Sequence, residues 1–537
     1  MRKSLFLLPL VIVALNFPSS ADYDPLVRID PALDLFLYRM QARYSLAPRS
    51  INVQPLHSAD LLIMLDSLQQ TPALSERERY LCQKLTNRTG PFGGLYHYND
   101  DVKKVNLKVN LNLLGDLSTR SHGEVVGGRG ILSPLFSGNI GNFSFYSALD
   151  VWTQYRSDTL FSQSSYQPYD GVPYNLYDRG RENNHLCSSD LPRGGISYDA
   201  GRIVLETAID YLKFGPTVYY PLTLSGQTPP ITYFRASLDL SVLEYQHIVG
   251  LLRSQKDRPK YLYAHRLSGS LFKERLFFGI NEVIVGGSTT DQQGPDDPYN
   301  SLRPHYYGEQ RDWEWTYFIP FVPFKFVEHY IGDRDNAALS FDGSILWPQN
   351  FRFYGEFFLD DFLSPWKMFT DDFGNKWALT AGMQYFGTLW SRDLNAGIEY
   401  HRIEPWVYTH FYGGSHRYDH FNQPLGSPLG PNSQAIVASC DIGVNKKLSA
   451  GVKITSLALN DSTRGSKITD VFQDDIALNP DLQTKKFLGP GTDYYFRPGI
   501  YASYDPFGIF KLNALFELDL AKDKGQVRLQ MDGGFCF

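Results

Sequence analysis

The chain has 537 residues, a formal net charge of −6 and a sequence pI near 6.1, which exclude the basic surface that nucleic-acid binding requires. A mean hydropathy of −0.29, with no run of about 18 apolar residues after residue 21, excludes a bundle of membrane-spanning helices. A membrane β-barrel remains compatible with these values, because alternating strands keep the average polar. Aromatic residues make up 15% of the chain, as expected for girdles at two membrane interfaces.

The first 21 residues have the pattern of an export signal. Met1, Arg2 and Lys3 form a positive start, residues 5–15 form an apolar run, and the small residues at 19–21 suit a cleavage site. We therefore expect residues 1–21 to be a signal peptide that is removed after export.

Residues 22–98 show the spacing of amphipathic helices and lack the alternation of strands. Three helices are predicted, at residues 30–40, 58–68 and 75–85, and the last begins with a capping box. Each helix has an apolar stripe, and together they are small for an independent core. We expect them to plug the periplasmic mouth of a barrel.

From Val105 onward, apolar and polar residues alternate with a period of two. At roughly 20 to 27 residues per strand and connection, residues 99–537 accommodate about 18 strands. The last strand alternates from Val527 and ends on Phe537, which suits a barrel wall between lipid and water. The predicted fold class is mainly β: a transmembrane antiparallel barrel of the Gram-negative outer membrane with an N-terminal α-helical periplasmic plug. Its expected partners include outer-membrane lipid and the barrel-assembly machinery, which would recognise the final strand.

The lengths of the connections predict which end of the barrel faces outward. Counting back from the C-terminus puts short turns in the periplasm and the long polar segments 363–375, 412–432 and 461–493 outside the cell. Residues 286–312 form another predicted outer loop. Residues 318–336 are expected to add a short helix or a re-entrant piece.

Two further local patterns bear on the strands. The apolar phase changes parity at His401 and Arg402, which predicts a β-bulge there. Cys440 shares a face with apolar residues and should contact lipid, whereas Cys536 should face the lumen. These two cysteines are therefore poor disulfide partners, and the spacing of all four cysteines fits no zinc or redox motif.

Several stretches, taken in order, resemble the capsule-assembly Wzi family, outer-membrane lectins of encapsulated bacteria. They are His-Arg-Leu at 265–267, Phe-Gly-Ile-Asn-Glu-Val at 278–283, Tyr-Gly-Glu-Phe-Phe-Leu-Asp-Asp-Phe at 354–362, Trp-Val-Tyr-Thr-His at 406–410, Pro-Leu-Gly at 424–426 and Leu-Gly-Pro-Asn at 429–432. The resemblance covers most of residues 30–537. It implies an 18-stranded barrel, plugged by its N-terminal helices, that holds capsular or extracellular polysaccharide at the cell surface without enzymatic turnover.

The early strands depart from the family pattern. The family often has a glycine-arginine-acid step and a tryptophan-glycine-proline loop, where this chain has Gly-Arg-Ile at 201–203 and Phe-Gly-Pro at 214–216. The details of the early strands, and any site on them, are therefore not carried over from the family.

Polar and aromatic residues near the outer ends of two predicted strands form a candidate carbohydrate site. Carboxylates accept hydrogen bonds from sugar hydroxyls, and aromatic faces pack against the CH side of pyranose rings. The candidates are Glu356, Asp360, Asp361, Trp366, His410, Tyr412, His416 and Tyr418. The structural alternative is that the carboxylates are satisfied by cations within the barrel lumen, as is common in such barrels.

The sequence does not favour an enzyme. Glu356 and Asp360 share a strand face but lie roughly 13 Å apart along it, whereas glycosidase carboxylates lie roughly 5 to 9.5 Å apart. Nucleophile elbows, zinc-binding helices and phosphate-binding loops are lacking, and we predict no metal site or cofactor. A porin-like or sugar-specific channel is the main alternative function, and an outer-membrane lipid or glycan enzyme is a weaker one.

Overall fold

The computed structural model describes most of the chain. The described ranges are 31–48, 50–90, 94–120, 125–157, 185–253, 259–288, 311–332, 335–361, 364–410, 413–470, 483–521 and 524–537. The predicted signal at residues 1–21 lies outside these ranges, as does Tyr412.

Within these ranges, eighteen strands, β1 to β18, pair in chain order into a closed antiparallel barrel. A further short strand, Tyr96–Asp100, precedes them and pairs with the start of β1. They span Val105–Arg120, Val125–Ile140, Phe143–Arg156, Leu186–Asp199, Ile203–Asp210, Ile231–Asp239, Leu243–Leu252, Lys260–Leu271, Leu276–Gly287, Asn336–Ile345, Phe351–Asp361, Lys376–Leu389, Arg392–Ile403, Ser433–Gly443, Leu448–Asn460, Thr492–Tyr504, Phe510–Ala521 and Lys524–Cys536. The barrel closes where β18 pairs with β1, from Arg528 opposite Arg120 to Cys536 opposite Asn112. The predicted fold class and the count of eighteen barrel strands are therefore confirmed, whereas the strand at Tyr96–Asp100 begins before the predicted start of the alternation at Val105.

Successive side chains on each strand point alternately into the lumen and out of the barrel. On β11, Arg352, Tyr354 and Glu356 face the lumen and are buried, while Phe353 between them points outward and is exposed. Exposed apolar side chains such as Phe353 and Phe341 form a belt around the outer wall. Such a belt is what a membrane barrel presents to lipid.

The connections differ in length between the two ends of the barrel. At one end they are short turns, such as 390–391 and 505–509. At the other end lie the long connections 211–230, 288–335 and 404–432, together with 362–375 and 461–491. Outer-membrane barrels have short periplasmic turns and longer extracellular loops, so the long connections mark the extracellular end. The described parts of the predicted outer segments lie at this end, while residues 289–310 and 471–482 lie outside the described ranges.

Three N-terminal helices precede the barrel, as predicted. They are α1, α2 and α3, at Pro31–Tyr44, Ser58–Gln69 and Glu76–Thr89. The predicted capping box begins α3: the Ser75 hydroxyl accepts from the Glu78 backbone N–H, and the Glu78 carboxylate accepts from the Ser75 backbone N–H. No helix in the described ranges is long and apolar enough to cross a membrane.

The three helices occupy the short-turn end of the lumen. Their apolar residues share one core with barrel residues from that end, namely Leu346, Phe386 and Phe507. The ring edge of Phe36 meets Phe507, with ring centroids 5.8 Å apart. Arg39 of α1 joins the helices to the wall, since its guanidinium contacts the carboxylate of Asp393 on β13 at 3.0 Å.

The connection between β9 and β10 contains a 3₁₀ turn, Trp315–Phe318, and a short helix, α4, at Phe324–Ile331. The prediction of a short helix or re-entrant piece within 318–336 is confirmed. Gly332 ends α4 in the left-handed conformation at φ 112°, where a side chain would be strained.

The predicted bulge at His401 and Arg402 is wrong. Strand β13 pairs in unbroken register with both neighbours through these residues, and the β11–β12 ladder carries an irregularity between Leu359 and Asp361 instead. The apolar phase changes because Ile403 faces an apolar region of the lumen, while Arg402 points outward.

Three of the four cysteines are described with their side chains, and all three are free thiols: Cys82, Cys440 and Cys536. Cys440 is exposed on the outer wall, where the sequence placed it. The prediction that Cys440 and Cys536 do not pair is confirmed.

Glu78 is the charged centre of the helical plug. Its carboxylate accepts from Arg39 at 2.7 Å and from the Tyr44 hydroxyl at 2.6 Å. Burial alone would raise the pKa of Glu78, but Arg39, Tyr44 and Ser75 hold that pKa below its ordinary value of 4.5. The ionised Glu78 carboxylate therefore stabilises the folded plug above pH 4.5. This stabilisation is lost as the pH falls through the lower pKa that Glu78 has in the folded state.

We expect Glu78→Gln to weaken docking of the plug by about 2 kcal/mol, because Arg39 loses a charged hydrogen-bond partner in a buried position. Glu76→Gln, an exposed change in the same helical turn, should cost less than about 0.5 kcal/mol. The measurement is the urea dependence of tryptic cleavage within residues 31–89 of the folded barrel. Identical midpoints for the two variants would contradict the assignment.

Candidate functional site at the extracellular rim

The connection between β5 and β6, residues 211–230, folds down into the lumen and is called the inward segment here. Two glutamates of the barrel wall hold its backbone. Glu399 accepts the backbone N–H groups of residues 218–220 at 3.0 to 3.2 Å, and Glu356 accepts the N–H of Leu222 at 2.6 Å. Backbone that enters a lumen needs such partners, because its polar groups lose water.

The inward segment reaches the helical plug. Its Lys213 donates to the carboxylate of Asp34 on α1 at 2.9 Å. Residues 213–214 also pair with residues 53–54, between α1 and α2, as a two-stranded sheet. The inward segment and the N-terminal helices, which enter the lumen from opposite ends, are therefore joined to each other as well as to the wall.

A second connection, residues 404–432, covers the inward segment from the extracellular side. Tyr408 and Tyr418 stack with ring centroids 5.3 Å apart. Their hydroxyls donate to the carbonyls of Leu222 and Thr223 at 2.7 and 2.8 Å. The edge contacts of both rings with Phe358 fix this cover to β11.

The two connections and the wall enclose an apolar core inside the barrel. The following members each expose 3% or less of their surface: Phe214, Leu222, Leu224, Ile248, Leu252, Leu262, Val283, Phe358, Ile403, Val407 and Leu425. In the described chain, the extracellular part of the lumen beside β5 to β13 is therefore packed with apolar side chains.

The other side of the lumen keeps a cavity of about 1180 Å³. It lies beside the helical plug and is lined by strands β1 to β4 and β11 to β18 and by the inward segment. Polar side chains of the wall line much of it, such as Lys108, Asn112, Asp116, Arg129 and Asn513. A cavity of this size with polar walls has room for water, and residues of α1 and α3 line one side of it.

A buried charge cluster holds the cover in place. Asp419 accepts from the Lys260 ammonium of β8 and, at 2.7 Å, from the guanidinium of Arg417. Burial alone would raise the pKa of Asp419, but Lys260 and Arg417 hold that pKa below its ordinary value. The carboxylate is thus ionised and links β8 to the cover.

The structure separates the predicted carbohydrate residues into an inner and an outer group. Glu356 belongs to the inner group: it is buried and its Oε2 atom holds the inward segment. Asp360 accepts from the backbone N–H of Tyr408 at 2.7 Å. Tyr418 is buried on the inner side of the cover, against the inward segment. These three residues come together, as predicted, but they contact this chain's own loops.

His410 and His416 also belong to the inner group. Their rings stack with centroids 5.2 Å apart, and Nε2 of His416 lies 3.4 Å from Asp335. Burial lowers the pKa of His410 well below its usual value, and His416 lowers it further. Burial also lowers the pKa of His416, against the opposing effect of Asp335. Both rings are therefore neutral at pH 7 and give no positive charge for an acidic glycan.

The outer group consists of Asp361 and Trp366. Asp361 is exposed and lies 3.8 Å from the ammonium of Lys376. Trp366 exposes 93% of its surface in the connection after β11. Tyr412, the remaining candidate, lies outside the described residues.

The connection that carries Trp366 is fixed to its neighbours. The backbone N–H of Phe373 donates to Gln483, and that of Lys485 donates to Asp371, so connections 362–375 and 461–491 pair. The buried Lys485 ammonium contacts Glu404 at 2.9 Å and thereby joins the cover. These three connections form one surface, called the rim platform here. Within the described ranges, no group of His, Cys, Asp and Glu side chains could hold a metal ion.

Sequence reasoning missed the inward segment and its wall partner Glu399. A signal was present, because Leu212, Phe214, Leu222 and Leu224 are apolar residues in a connection that has no strand or helix period. Apolar residues in a long connection indicate that it packs against something.

Comparison with known proteins shows the fold. No known protein family and no curated protein sequence matches this chain. Among solved structures, it is similar to Wzi of Escherichia coli, an outer-membrane protein involved in group 1 capsule assembly and described as a carbohydrate-binding β-barrel. The TM-score is 0.60 and the identity is 14%, over 96% of this chain and 99% of Wzi.

Two porins are similar at lower scores. OpdK of Pseudomonas aeruginosa, solved with vanillate, has a TM-score of 0.43 and 10% identity over 80% of this chain and 98% of its own. A BenF-like porin from Pseudomonas fluorescens Pf-5 has a TM-score of 0.42 and 8% identity over 80% and 99%. The barrel of this chain and its similarity to Wzi show the fold of an 18-stranded outer-membrane β-barrel with N-terminal helices.

We expect Asp419→Asn to lower the free energy of unfolding by about 3 kcal/mol, because it leaves two buried cations without their carboxylate. The exposed change Asp371→Asn on the rim platform should cost less than about 0.5 kcal/mol. The temperature at which heat-modifiable gel mobility is lost measures the difference. Equal transition temperatures would show that the cluster does not hold the cover.

Proposed function

We propose that this protein attaches capsular or other extracellular polysaccharide to the cell surface at its extracellular rim, without turning the glycan over. The observation that carries the proposal is the apolar core within the lumen. A diffusion channel needs a water-filled constriction, whereas here two extracellular connections fill the extracellular part of the lumen beside β5 to β13 and present their outer surface to the medium.

The rim platform has the features that a shallow sugar site needs. The flat indole of Trp366 is accessible for stacking on a pyranose ring. Lys367 and Asp371 are exposed on the same connection and can donate to and accept from sugar hydroxyls. Because the platform is fixed by backbone pairing and by Lys485, little conformational freedom is lost when a glycan binds.

The positions of the inner carboxylates support a role without catalysis. Glu356 holds the backbone of Leu222, and Asp360 holds that of Tyr408. A glycosidase needs two carboxylates that flank one accessible glycosidic bond. These two are engaged with this chain's own backbone.

The similarity to Wzi supports the same proposal at the level of the fold, since Wzi is described as carbohydrate-binding. The proposal includes two further partners. Lipid would contact the outer belt, and the barrel-assembly machinery would recognise the final strand. A channel is the second candidate, and the cavity of about 1180 Å³ is the observation that favours it.

We expect Trp366→Ala to weaken polysaccharide retention roughly tenfold, which corresponds to about 1.4 kcal/mol of lost stacking and burial. Trp390→Ala is the matched control, because Trp390 exposes 82% of its surface in a turn at the opposite end. The measurement is polysaccharide bound to cells that display equal amounts of each folded variant. Retention by Trp366→Ala equal to that of the control would place binding elsewhere.

We expect the intact protein to pass little current in a planar bilayer, because the inward segment and the helices obstruct the lumen. Deletion of residues 22–98 should either destabilise the barrel or open the side that holds the cavity, and gel mobility distinguishes the two. Large, stable currents from the intact protein would favour the channel and contradict the proposal.

A further inference from the structure

Residues 311–332, called the outer-wall segment here, lie on the outside of the barrel. The lumen faces of β7 and β8 carry Ile248 and Leu262, which belong to the apolar core inside the barrel. The opposite faces carry Val249 and Tyr263, which form a separate core with Phe324 of α4. Alternation along the strands therefore fixes α4 against the outer wall.

The outer-wall segment covers polar groups that point out of the barrel. Nε2 of His265 lies 2.7 Å from Nδ1 of His247, and the Phe324 ring stacks on His265 with centroids 3.6 Å apart. The backbone N–H groups of Phe324 and Phe321 donate to the Glu282 carboxylate and the Tyr245 hydroxyl at 3.0 and 2.9 Å. Outward polar groups at the depth of a lipid bilayer require such partners.

The covered patch is continuous with the lipid-facing belt. Glu282 pairs with Leu339 in the β9–β10 ladder, and two residues further along the same ladder Ile280 pairs with Phe341. Ile280 and Phe341 are exposed apolar residues of the outer wall. His265 lies five residues from the extracellular end of β8, roughly 16 Å along the strand, so the segment descends well below the rim.

The surface that the segment turns away from the barrel carries five large apolar side chains, Trp315, Ile319, Phe321, Phe326 and Tyr330. The polar side chains of Asp312, Lys325 and His329 are also exposed. Phe326 and Tyr330 expose 73% and 86% of their surface and lie four residues apart, on one face of α4. At the upper end, Arg311 and Tyr317 are tied to Asp335 at the start of β10, at 2.5 and 3.0 Å. The segment is thus held to the wall while its large aromatic and aliphatic side chains point away from the barrel.

We propose that the outer-wall segment is inserted into the outer leaflet, where Trp315, Phe326 and Tyr330 contact lipid acyl chains and the headgroup boundary. Lipid is the occupant that fits, because the surface continues the belt and is rich in aromatic residues, as interfacial membrane elements are. The segment would widen the lipid-contacting perimeter on one side of the barrel and would shield the histidine pair and Glu282 from the hydrocarbon.

Photo-crosslinking in intact cells tests the proposal. The photoreactive p-benzoylphenylalanine is placed at Phe326, at Phe341 as the lipid-facing reference, or at Trp366 as the rim reference. We expect lipid adducts at Phe326 within about twofold of the Phe341 yield and roughly fivefold or more above the Trp366 yield. A yield at the level of Trp366, or adducts mainly with a polysaccharide, a second copy of this chain or another protein, would overturn the proposal.

A second measurement avoids the bulky probe. The fluorescence of Trp315 is obtained as the difference between the wild-type protein and Trp315→Phe in vesicles that contain brominated phosphatidylcholine. We expect the brominated chains to quench the Trp315 signal and aqueous iodide to leave it unquenched. The Trp366 signal, obtained in the same way with Trp366→Phe, should be quenched by iodide and not by the brominated chains. Quenching of the Trp315 signal by iodide alone would contradict insertion, whether or not polysaccharide binds at the rim.

Discussion

The need to fill a wide lumen is the constraint on which the rest of this structure depends. Eighteen strands enclose a space that wall side chains alone cannot occupy, and in porins of similar size water fills it. Here backbone enters from both ends, and every N–H group that leaves water needs a partner. Glu399 and Glu356 supply those partners for the inward segment, and Lys213 joins the segment to the helices. Glu356 and Glu399 thus fix the inward segment to the barrel wall.

Filling the lumen also organises the surface outside it. Tyr408 and Tyr418 bond to the inward segment on one side and belong on the other side to the cover that reaches the medium. Lys485 joins that cover to the connection that carries Trp366 through Glu404 and a backbone pair. An extracellular loop that is fixed at both its base and its flanks is preorganised for binding. The same packing that obstructs diffusion therefore makes a defined surface for attachment.

The sequence predicts the features that rest on short-range periodicity: the helices, the strand count, the direction of the strands and the capping box at Ser75. It does not predict what depends on contacts between distant segments. The sequence presents Glu356 as a candidate glycan ligand, because its carboxylate faces the lumen near the rim. Nothing nearby in sequence indicates that the backbone of Leu222 will reach it. The bulge expected at His401 failed for a related reason, since it assumed that apolar residues always face lipid, whereas Ile403 faces an apolar lumen.

The alternation of apolar and polar residues along a barrel strand depends on what each face contacts. That contact can be another segment of the protein as well as water or lipid. Ile403 is apolar and faces inward because the cover packs on it. His265 and Glu282 are polar and face outward because the outer-wall segment covers them. Both inversions occur in the extracellular half, where connections are long enough to fold back on either side of the wall. At these two places in the described barrel, the break in the apolar-out, polar-in pattern therefore marks a part of the wall that another segment of the same chain covers.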